Sequence, residues 1–210
     1  MLFRSCRSVG GDFFDYIDLP TGGMGFIVGD IAGKGSPAAL LAAAVLGMFS
    51  AEAGYQSGSS TPIARVNSGL FRRAIDGRFL TAFYGILHKD GALIYTNAGH
   101  NPPILISKQG VQRLGAGGVV LGLFEGATFD EAELALEPGD LLVLFSDGVT
   151  EAMNASDEEF GDDRLVDCVK NLRSREPQAV LEELMQQVKD FCGDATQSDD
   201  VTMMLVRYNG

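Results

Sequence analysis

The sequence predicts an α+β fold in which antiparallel β-sheets pack against α-helices. Strand-like and helical segments come in blocks and do not alternate strictly, which argues against a doubly wound parallel sheet. Two pairs of strand-like runs are joined by short turns, as in β-hairpins. The 210 residues are 46% hydrophobic and 21% charged, a globular composition long enough to bury a large core.

The strand-like segments are of two kinds. The predicted hairpins are Phe79–His88 with Ala92–Asn97, and Ile104–Ser107 with Val111–Leu114. The first is turned by Lys89-Asp90-Gly91 and the second by Gln109-Gly110; Asp-Gly between two such runs is a strong hairpin signal. Near-continuous apolar runs are typical of strands covered on both faces. These runs are Met24–Ala32, Asp140–Phe145 and the closing segment Val201–Tyr208.

Two helices are predicted directly after the first apolar strand. Ser36 is expected to be the N-cap of the first, with Pro37 as its first helical residue. This helix continues to about Gly54 and is apolar on nearly all sides, so we expect it to be buried or docked. The second begins at Thr61-Pro62, and its apolar positions repeat every three to four residues. They are Ile63, Val66, Leu70 and Ala74.

Two further helices are expected near the carboxyl terminus. They cover roughly Asp163–Leu172 and Pro177–Cys192, and Gly193 is a plausible stop for the second. The glycine-rich stretch Gly115–Gly122 follows a hairpin and opens no clear helix, so it is interpreted as a plain loop.

Composition excludes several classes of function. With 28 acidic and 16 basic residues, the net charge is −12, which disfavours binding to nucleic acid or an anionic membrane. The longest apolar stretch, Pro37–Phe49, is about 13 residues and shorter than the ~18–20 that span a bilayer. The three cysteines, Cys6, Cys168 and Cys192, form no CxxC pair. A reduced, cytoplasmic location is therefore expected.

Aspartates recur beside the ends of apolar strands. Seventeen of the 28 acids are Asp, whereas the chain has only two His. The segments are GGDFFD (Asp12, Asp15), VGDIAGKG (Asp30), LFSDGVTEA (Asp147) and SDDVTMMLV (Asp199, Asp200). Any one of these alone is more typical of a turn or helix cap. Together, with glycines nearby and almost no His or Cys, they predict a hard cation, Mg²⁺ or Mn²⁺, bound through oxygen.

Other reactive motifs are absent or weak. GDIAGKGS does not satisfy the phosphate-loop spacing GxxxxGK[ST]. Ser146 has no G-x-S-x-G context, so a nucleophile elbow is unsupported. His100 lies among turn residues, and a structural hydrogen-bonding role is favoured over catalysis.

Seven motifs in order resemble those of the bacterial PPM-type serine/threonine phosphatases of the SpoIIE/RsbU kind, relatives of PP2C. They are VGGDFFDY, GDIAGKGSPAAL, TAFYGIL, NAGHNPPILI, LFSDGVTEAMN, FGDDRL and SDDVTMMLV, from Val9 to about Val206. The resemblance implies a PP2C-like sandwich of two antiparallel β-sheets flanked by α-helices, forming one catalytic domain over residues 1–210. Relatives often carry an N-terminal sensor domain, for which this chain has no room. A stand-alone catalytic protein and an excised domain both stay open.

The resemblance also implies a two-metal site at one end of the sandwich. Its ligands would be Asp12, Asp30, the backbone carbonyl of Ile31, Asp147 and Asp199. Residues expected next to the ligands or the substrate are Asp15, Gly33, Lys34, Gly148 and Asp200. Many relatives have His at the position of Lys34, which leaves the source of the leaving-group proton open. Eukaryotic relatives also hold the phosphate with an arginine, whose counterpart is not identified here because Arg4 and Arg7 match the motif only loosely.

The implied activity is hydrolysis of phosphoserine or phosphothreonine by water activated between two Mn²⁺ or Mg²⁺ ions. The implied substrate is a phosphorylated STAS-domain anti-anti-sigma protein in bacterial partner switching. In relatives, the helices matching residues 36–76 act as a switch, so a regulatory partner or a homodimer could contact them; simple core packing is the alternative. Competing functions are a non-catalytic module that binds a phosphoprotein and a phosphatase acting on small phosphate esters.

Overall fold

The computed structural model describes residues 2–4, 10–20, 22–54, 58–72, 77–197 and 199–210. Within these ranges the chain forms eleven strands and five helices. The strands are β1 (Leu2–Arg4), β2 (Phe13–Asp18), β3 (Gly23–Ile31), β4 (Leu80–His88), β5 (Ala92–Ala98), β6 (Ile104–Ser107), β7 (Gly110–Arg113), β8 (Gly117–Gly118), β9 (Ala132–Ala135), β10 (Leu141–Phe145) and β11 (Val201–Arg207). The helices are α1 (Ser36–Ala53), α2 (Ser60–Arg72), α3 (Asp147–Thr150), α4 (Gly161–Leu172) and α5 (Pro177–Cys192).

The strands form two sheets. One has the order β1-β11-β10-β6-β7, and the other has β2-β3-β4-β5-β8, with β9 also paired to β5. Pairing is antiparallel except between β5 and β8, where Asn97 and Ala98 pair in parallel with Gly117 and Gly118. The interpretation of Gly115–Gly122 as a plain loop was therefore incomplete. Glycine suits this close pairing, since a Cβ at Gly117 would lie 1.8 Å from the Asn97 carbonyl oxygen.

The layers follow from the alternation of side chains along the central strands. Phe26 and Val28 of β3 meet Leu142 and Leu144 of β10 in the core between the sheets. Ile27 points the other way, into a core shared with α1 and α2. On the outer face of the other sheet, residues of β10 pack against α4 and α5. The molecule is thus a helix–sheet–sheet–helix sandwich, and the α+β prediction is confirmed.

Helix α1 departs from its predicted cap. Gly35 occupies the N-cap position with φ 80°, and no side chain caps the helix, so the Ser36 cap was wrong. Pro37 lies in the first turn as expected. One helix face packs in the core through Ala38, Ala42, Val45, Phe49 and Ala53.

The opposite face of α1 is exposed and apolar, with Leu40 73% accessible. By length and hydropathy alone, α1 is the one helix in the described ranges that could cross a membrane. Its 18 residues exceed the stretch of about 13 seen in the sequence, because Ser50 and Glu52 lie within the helix. The packing of α1 against β2 and β3 is that of a layer in a globular core.

Candidate metal centre

The predicted ligands lie at strand ends that antiparallel pairing brings to one end of the sandwich. Asp12 precedes β2, and Asp30 is the penultimate residue of its neighbour β3. Asp147 follows β10, and Asp199 precedes β11, which pairs with β10. The end of one antiparallel strand lies beside the start of the next, so each sheet contributes two aspartates.

Electrostatic coupling shows that these four carboxylates converge. The pKa of Asp30 is raised to about 8, first by burial and then by the negative charges of Asp12, Asp147 and Asp199. Burial also raises the pKa of Asp147, with the Asp199 charge as the next cause. Like charges act strongly only at short range in a partly buried site. The two sheets therefore bring all four predicted ligands into the same region of the molecule.

Asp12 is the most enclosed of these acids, with 7% of its surface accessible. Burial raises its pKa to about 6, while the nearby hydroxyls of Thr202 and Ser146 oppose the rise. Its Oδ2 is buried and has no hydrogen-bond partner. A buried carboxylate oxygen without a partner is costly unless a proton or a cation satisfies it.

Backbone atoms of the same region also face this centre. A Cβ at Gly11 would lie 2.8 Å from the Ile31 carbonyl oxygen and 3.1 Å from Asp30 Oδ1. The glycine thus keeps open the space beside both oxygens. This is the position in which the Ile31 carbonyl was expected to act as a ligand.

Asp200 supports the centre from behind. It is 4% accessible, and its Oδ2 accepts a hydrogen bond of 2.9 Å from the Gly11 amide. A Cβ at Gly148 would lie 1.9 Å from the Asp200 carbonyl oxygen, so the segment after β10 packs directly on Asp200. Asp200 and Gly148 therefore join the Gly11, Asp147 and Asp199 segments.

Two basic side chains, Lys34 and Arg78, lie in the same region as the acids. Lys34 Nζ lies 2.8 Å from Asp199 Oδ2 in a half-exposed ion pair. Arg78 was not predicted: its Nη1 lies 2.9 Å from the position of a Cβ at Gly33, three residues beyond Asp30. Arg78 forms no ion pair with any residue that the structure describes. No local pattern could have indicated it, because tertiary folding brings it across 45 residues of sequence to Gly33.

Asp15 and His100 have other environments. Asp15 lines a small cavity with Leu46 and Phe49 of α1, so the structure does not bring it to the acids. His100 is 4% accessible, its Nδ1 lies 2.9 Å from Thr81 Oγ1, and burial lowers its pKa to about 4. These contacts agree with the structural role expected for His100. Of the two arginines compared with the phosphate-binding arginine of eukaryotic relatives, Arg4 is the last residue of β1 and Arg7 lies outside the described residues.

The residues present fit a site for hard cations. Within the described ranges, no three carboxylate, imidazole or thiol groups form a ready-made cation cage. Lys34 forms an ion pair with Asp199, one of the four acids. The donor set is all oxygen, as Mg²⁺ and Mn²⁺ prefer. The buried Asp12 Oδ2 has no hydrogen-bond partner, and Asp30 and Asp200 lie near the same carboxylate.

The sequence of the chain matches a known family. Residues 20–209 match the model of the stage II sporulation protein E family, SpoIIE. The chain belongs to the SpoIIE family. Since the match covers most of the chain, it confirms the family that the seven motifs indicated.

The chain is also similar in sequence to two characterised proteins. Protein IcfG of Synechocystis is 27% identical over 241 residues, which include 99% of this chain and 37% of IcfG. Phosphoserine phosphatase RsbU of Bacillus subtilis is 29% identical over 150 residues, which include 69% of this chain and 44% of RsbU. The chain thus spans less than half of the length of either relative.

The fold agrees with a solved phosphatase domain. The PP2C domain of SiaA from Pseudomonas aeruginosa superposes with a TM-score of 0.89 at 20% identity, covering 99% of this chain and 85% of that one. The structure therefore has the PP2C-type fold expected from the motifs.

Proposed function

We propose that this protein is a protein serine/threonine phosphatase that depends on two divalent cations, Mn²⁺ or Mg²⁺. The observation that carries the proposal is the position of Asp12, Asp30, Asp147 and Asp199 at neighbouring strand ends of the two sheets, which the hydrogen bond from the Gly11 amide to Asp200 joins. Membership in the SpoIIE family and similarity to a phosphoserine phosphatase support it. A cluster of this charge has no stabilising role in the absence of cations, because its members repel one another.

The residues divide the work by position. Asp12, Asp30, Asp147, Asp199 and the Ile31 carbonyl would hold the cations, and Asp200 would keep the Gly11 and Gly148 segments in place. When bound, two divalent cations supply an activated water and neutralise charge that develops during phosphoryl transfer. No protein nucleophile is required, which agrees with the absence of a nucleophile elbow at Ser146.

Positive charge for the phosphoryl group would come from Arg78 and Lys34. A phosphomonoester carries nearly two negative charges at neutral pH, and it must approach four carboxylates. The Arg78 guanidinium is planar and forked, so it can donate two hydrogen bonds to phosphoryl oxygens. Lys34 reaches the same region from the loop after β3, where it pairs with Asp199.

For the biological substrate, we propose a phosphorylated STAS-domain anti-anti-sigma protein in the cytoplasm, with no role in nucleic-acid or membrane binding. Similarity to RsbU and SpoIIE supports partner switching as the context. The exposed apolar face of α1, centred on Leu40, would contact a regulatory partner or a second copy. Part of the adjoining segment, residues 73–76, lies outside the described residues.

The test is hydrolysis of p-nitrophenyl phosphate and of a phosphoserine peptide in millimolar Mn²⁺ or Mg²⁺. We expect turnover that EDTA abolishes and that added Mn²⁺ restores. A folded preparation that binds the phosphopeptide but hydrolyses neither compound would instead support the non-catalytic binding module. Activity on small esters with none on any phosphopeptide would favour the small-ester phosphatase.

A further inference from the structure

A groove begins at the acids and lies beside the sheet that contains β10 and β11. It lies between the segment after α3 and the carboxyl-terminal half of α5, and its volume is about 150 Å³. Its lining includes Gly148, Met153, Met185, Val188, Lys189 and Asp199. Gly148 follows a proposed cation ligand, and Asp199 is one. The groove is therefore continuous with the candidate metal centre.

The chemistry of the groove suits an apolar side chain. Met153 is 39% accessible although it is large and hydrophobic, and Val188, a buried residue of α5, also lines the groove. Methionine adapts its shape to different apolar partners. Lys189 is the basic residue of the last turn of α5 and also lines the groove. The groove is therefore less negative than the cluster of acids beside it.

The size of the groove indicates how much of a partner it can take. Sites for small molecules usually have about 300–1,000 Å³, whereas this groove has about 150 Å³. One side chain fits such a volume better than a drug-sized molecule or the flat face of another globular domain. Because the groove begins at the metal centre, that side chain would belong to the molecule whose phosphoryl group reaches the acids.

We propose that this groove binds an apolar residue of the protein substrate next to the phosphorylated serine or threonine. This inference rests on the proposed function and deepens it, because it makes the enzyme selective for sequence around the phosphoserine. A phosphoester without a flanking residue gains nothing from the groove. Selectivity of this kind acts on kcat/KM for peptides and leaves small esters unaffected.

The experiment uses phosphoserine peptides that differ only in having leucine or glycine immediately before or after the phosphoserine. We expect the wild-type protein to prefer leucine on one side by about tenfold in kcat/KM, the discrimination that a hydrophobic pocket gives. Met153→Ser should reduce this preference to about twofold or less. Turnover of p-nitrophenyl phosphate should stay at the wild-type rate.

Leu123→Ser is the matched control. Leu123 is 43% accessible, close to the 39% of Met153, and is not part of the groove lining. This variant should keep the full leucine preference. The proposal is overturned if the wild-type protein does not distinguish leucine from glycine, if Met153→Ser keeps the preference, or if Leu123→Ser loses it equally.

The proposed function can fail separately. If neither phosphopeptides nor p-nitrophenyl phosphate are hydrolysed with Mn²⁺, catalysis is absent. Fluorescence polarisation with the same peptides labelled with fluorescein then tests whether the groove binds leucine. Tighter binding of the leucine peptide, lost in Met153→Ser, would support the groove in a binding module. Equal affinity for the leucine and glycine peptides would overturn it.

Discussion

Strand β10 has an aspartate at each end, and the two carboxylates have very different neighbours. Asp140, before the strand, is 2% accessible and accepts a hydrogen bond of 2.9 Å from the Glu137 amide in its own turn. Asp147, after the strand, faces Asp199, and its pKa is raised. An aspartate beside an apolar strand is therefore a turn residue at one end of the sandwich and a candidate ligand at the other.

The comparison also shows which features do not identify a metal site. Asp140 Oδ1 and Asp12 Oδ2 are both buried without a hydrogen-bond partner. Only Asp12 lies among other carboxylates, where Asp200 and Asp30 affect its ionisation. An unpaired oxygen suggests a cation site when several acids share its surroundings, because a cation then relieves both the desolvation and the repulsion.

The largest expected difference comes from the same substitution at the two ends of β10. Asp147→Asn removes a charged ligand and should lower turnover on the order of 10³-fold, since cation-held charge contributes several kcal/mol to such reactions. Asp140→Asn keeps the oxygen that accepts the Glu137 amide and should retain wild-type turnover. Assays with p-nitrophenyl phosphate and Mn²⁺ measure both. Equal activity of the two variants would remove Asp147 from the site.

A smaller effect is expected at the glycines. In Gly148→Ala the new Cβ would lie 1.9 Å from the Asp200 carbonyl oxygen, and such overpacking costs about 1–3 kcal/mol. Thermal denaturation should show a Tm lower by about 2–10 °C. Gly47→Ala is the control, because Gly47 is exposed within α1 and its Cβ would meet open space. A helical Gly→Ala change should instead raise the Tm by a few degrees. A higher Tm for Gly148→Ala would contradict the packing around Asp200.

Arg78 is expected to affect substrate binding. Arg78→Met should raise KM for a phosphopeptide about tenfold, because a charge-assisted hydrogen bond contributes about 1.5–3 kcal/mol. Affinity for Mn²⁺, measured by calorimetry, should not change. Arg65→Met is the control, since Arg65 pairs with Glu52 at 2.7 Å on the helical layer. Wild-type KM in Arg78→Met would exclude contact between Arg78 and the phosphoryl group.

A dependence of stability on pH is expected in EDTA. The folded pKa values of Asp12 (about 6) and Asp30 (about 8) exceed their ordinary value of 3.8. Between pH 4 and 8 the folded state therefore binds more protons than the unfolded state, and its stability falls as pH rises. The Tm should decrease from pH 5 to pH 8. Asp30→Asn should flatten this slope and Asp140→Asn should not. A Tm that rises over this range would contradict the raised pKa values of Asp12 and Asp30.

Much of the secondary structure follows from local sequence. Helix α5 has its predicted bounds, and both hairpins form where Asp90-Gly91 and Gln109-Gly110 indicated. The Ser36 cap was wrong because the helix already begins at Ser36, which leaves Gly35, a residue without a side chain, at the N-cap position. Strand β9 and the parallel pairing of β8 could not be predicted. Both depend on the free edge of β5, which the sequence of Gly117-Gly118 does not reveal.

The residue types that could bind a cation can be predicted from local sequence, whereas their proximity in the folded protein cannot. Aspartate at a strand end beside glycine and the scarcity of histidine indicate oxygen donors for a hard cation, and ordered motifs indicate the family. The same pattern holds for Asp15 and Asp140, which the fold places elsewhere. Two sheets had to pack before Asp12 and Asp30 could face Asp147 and Asp199. Arg78 and the Met153 groove likewise exist only in the folded chain, because each joins segments far apart in sequence.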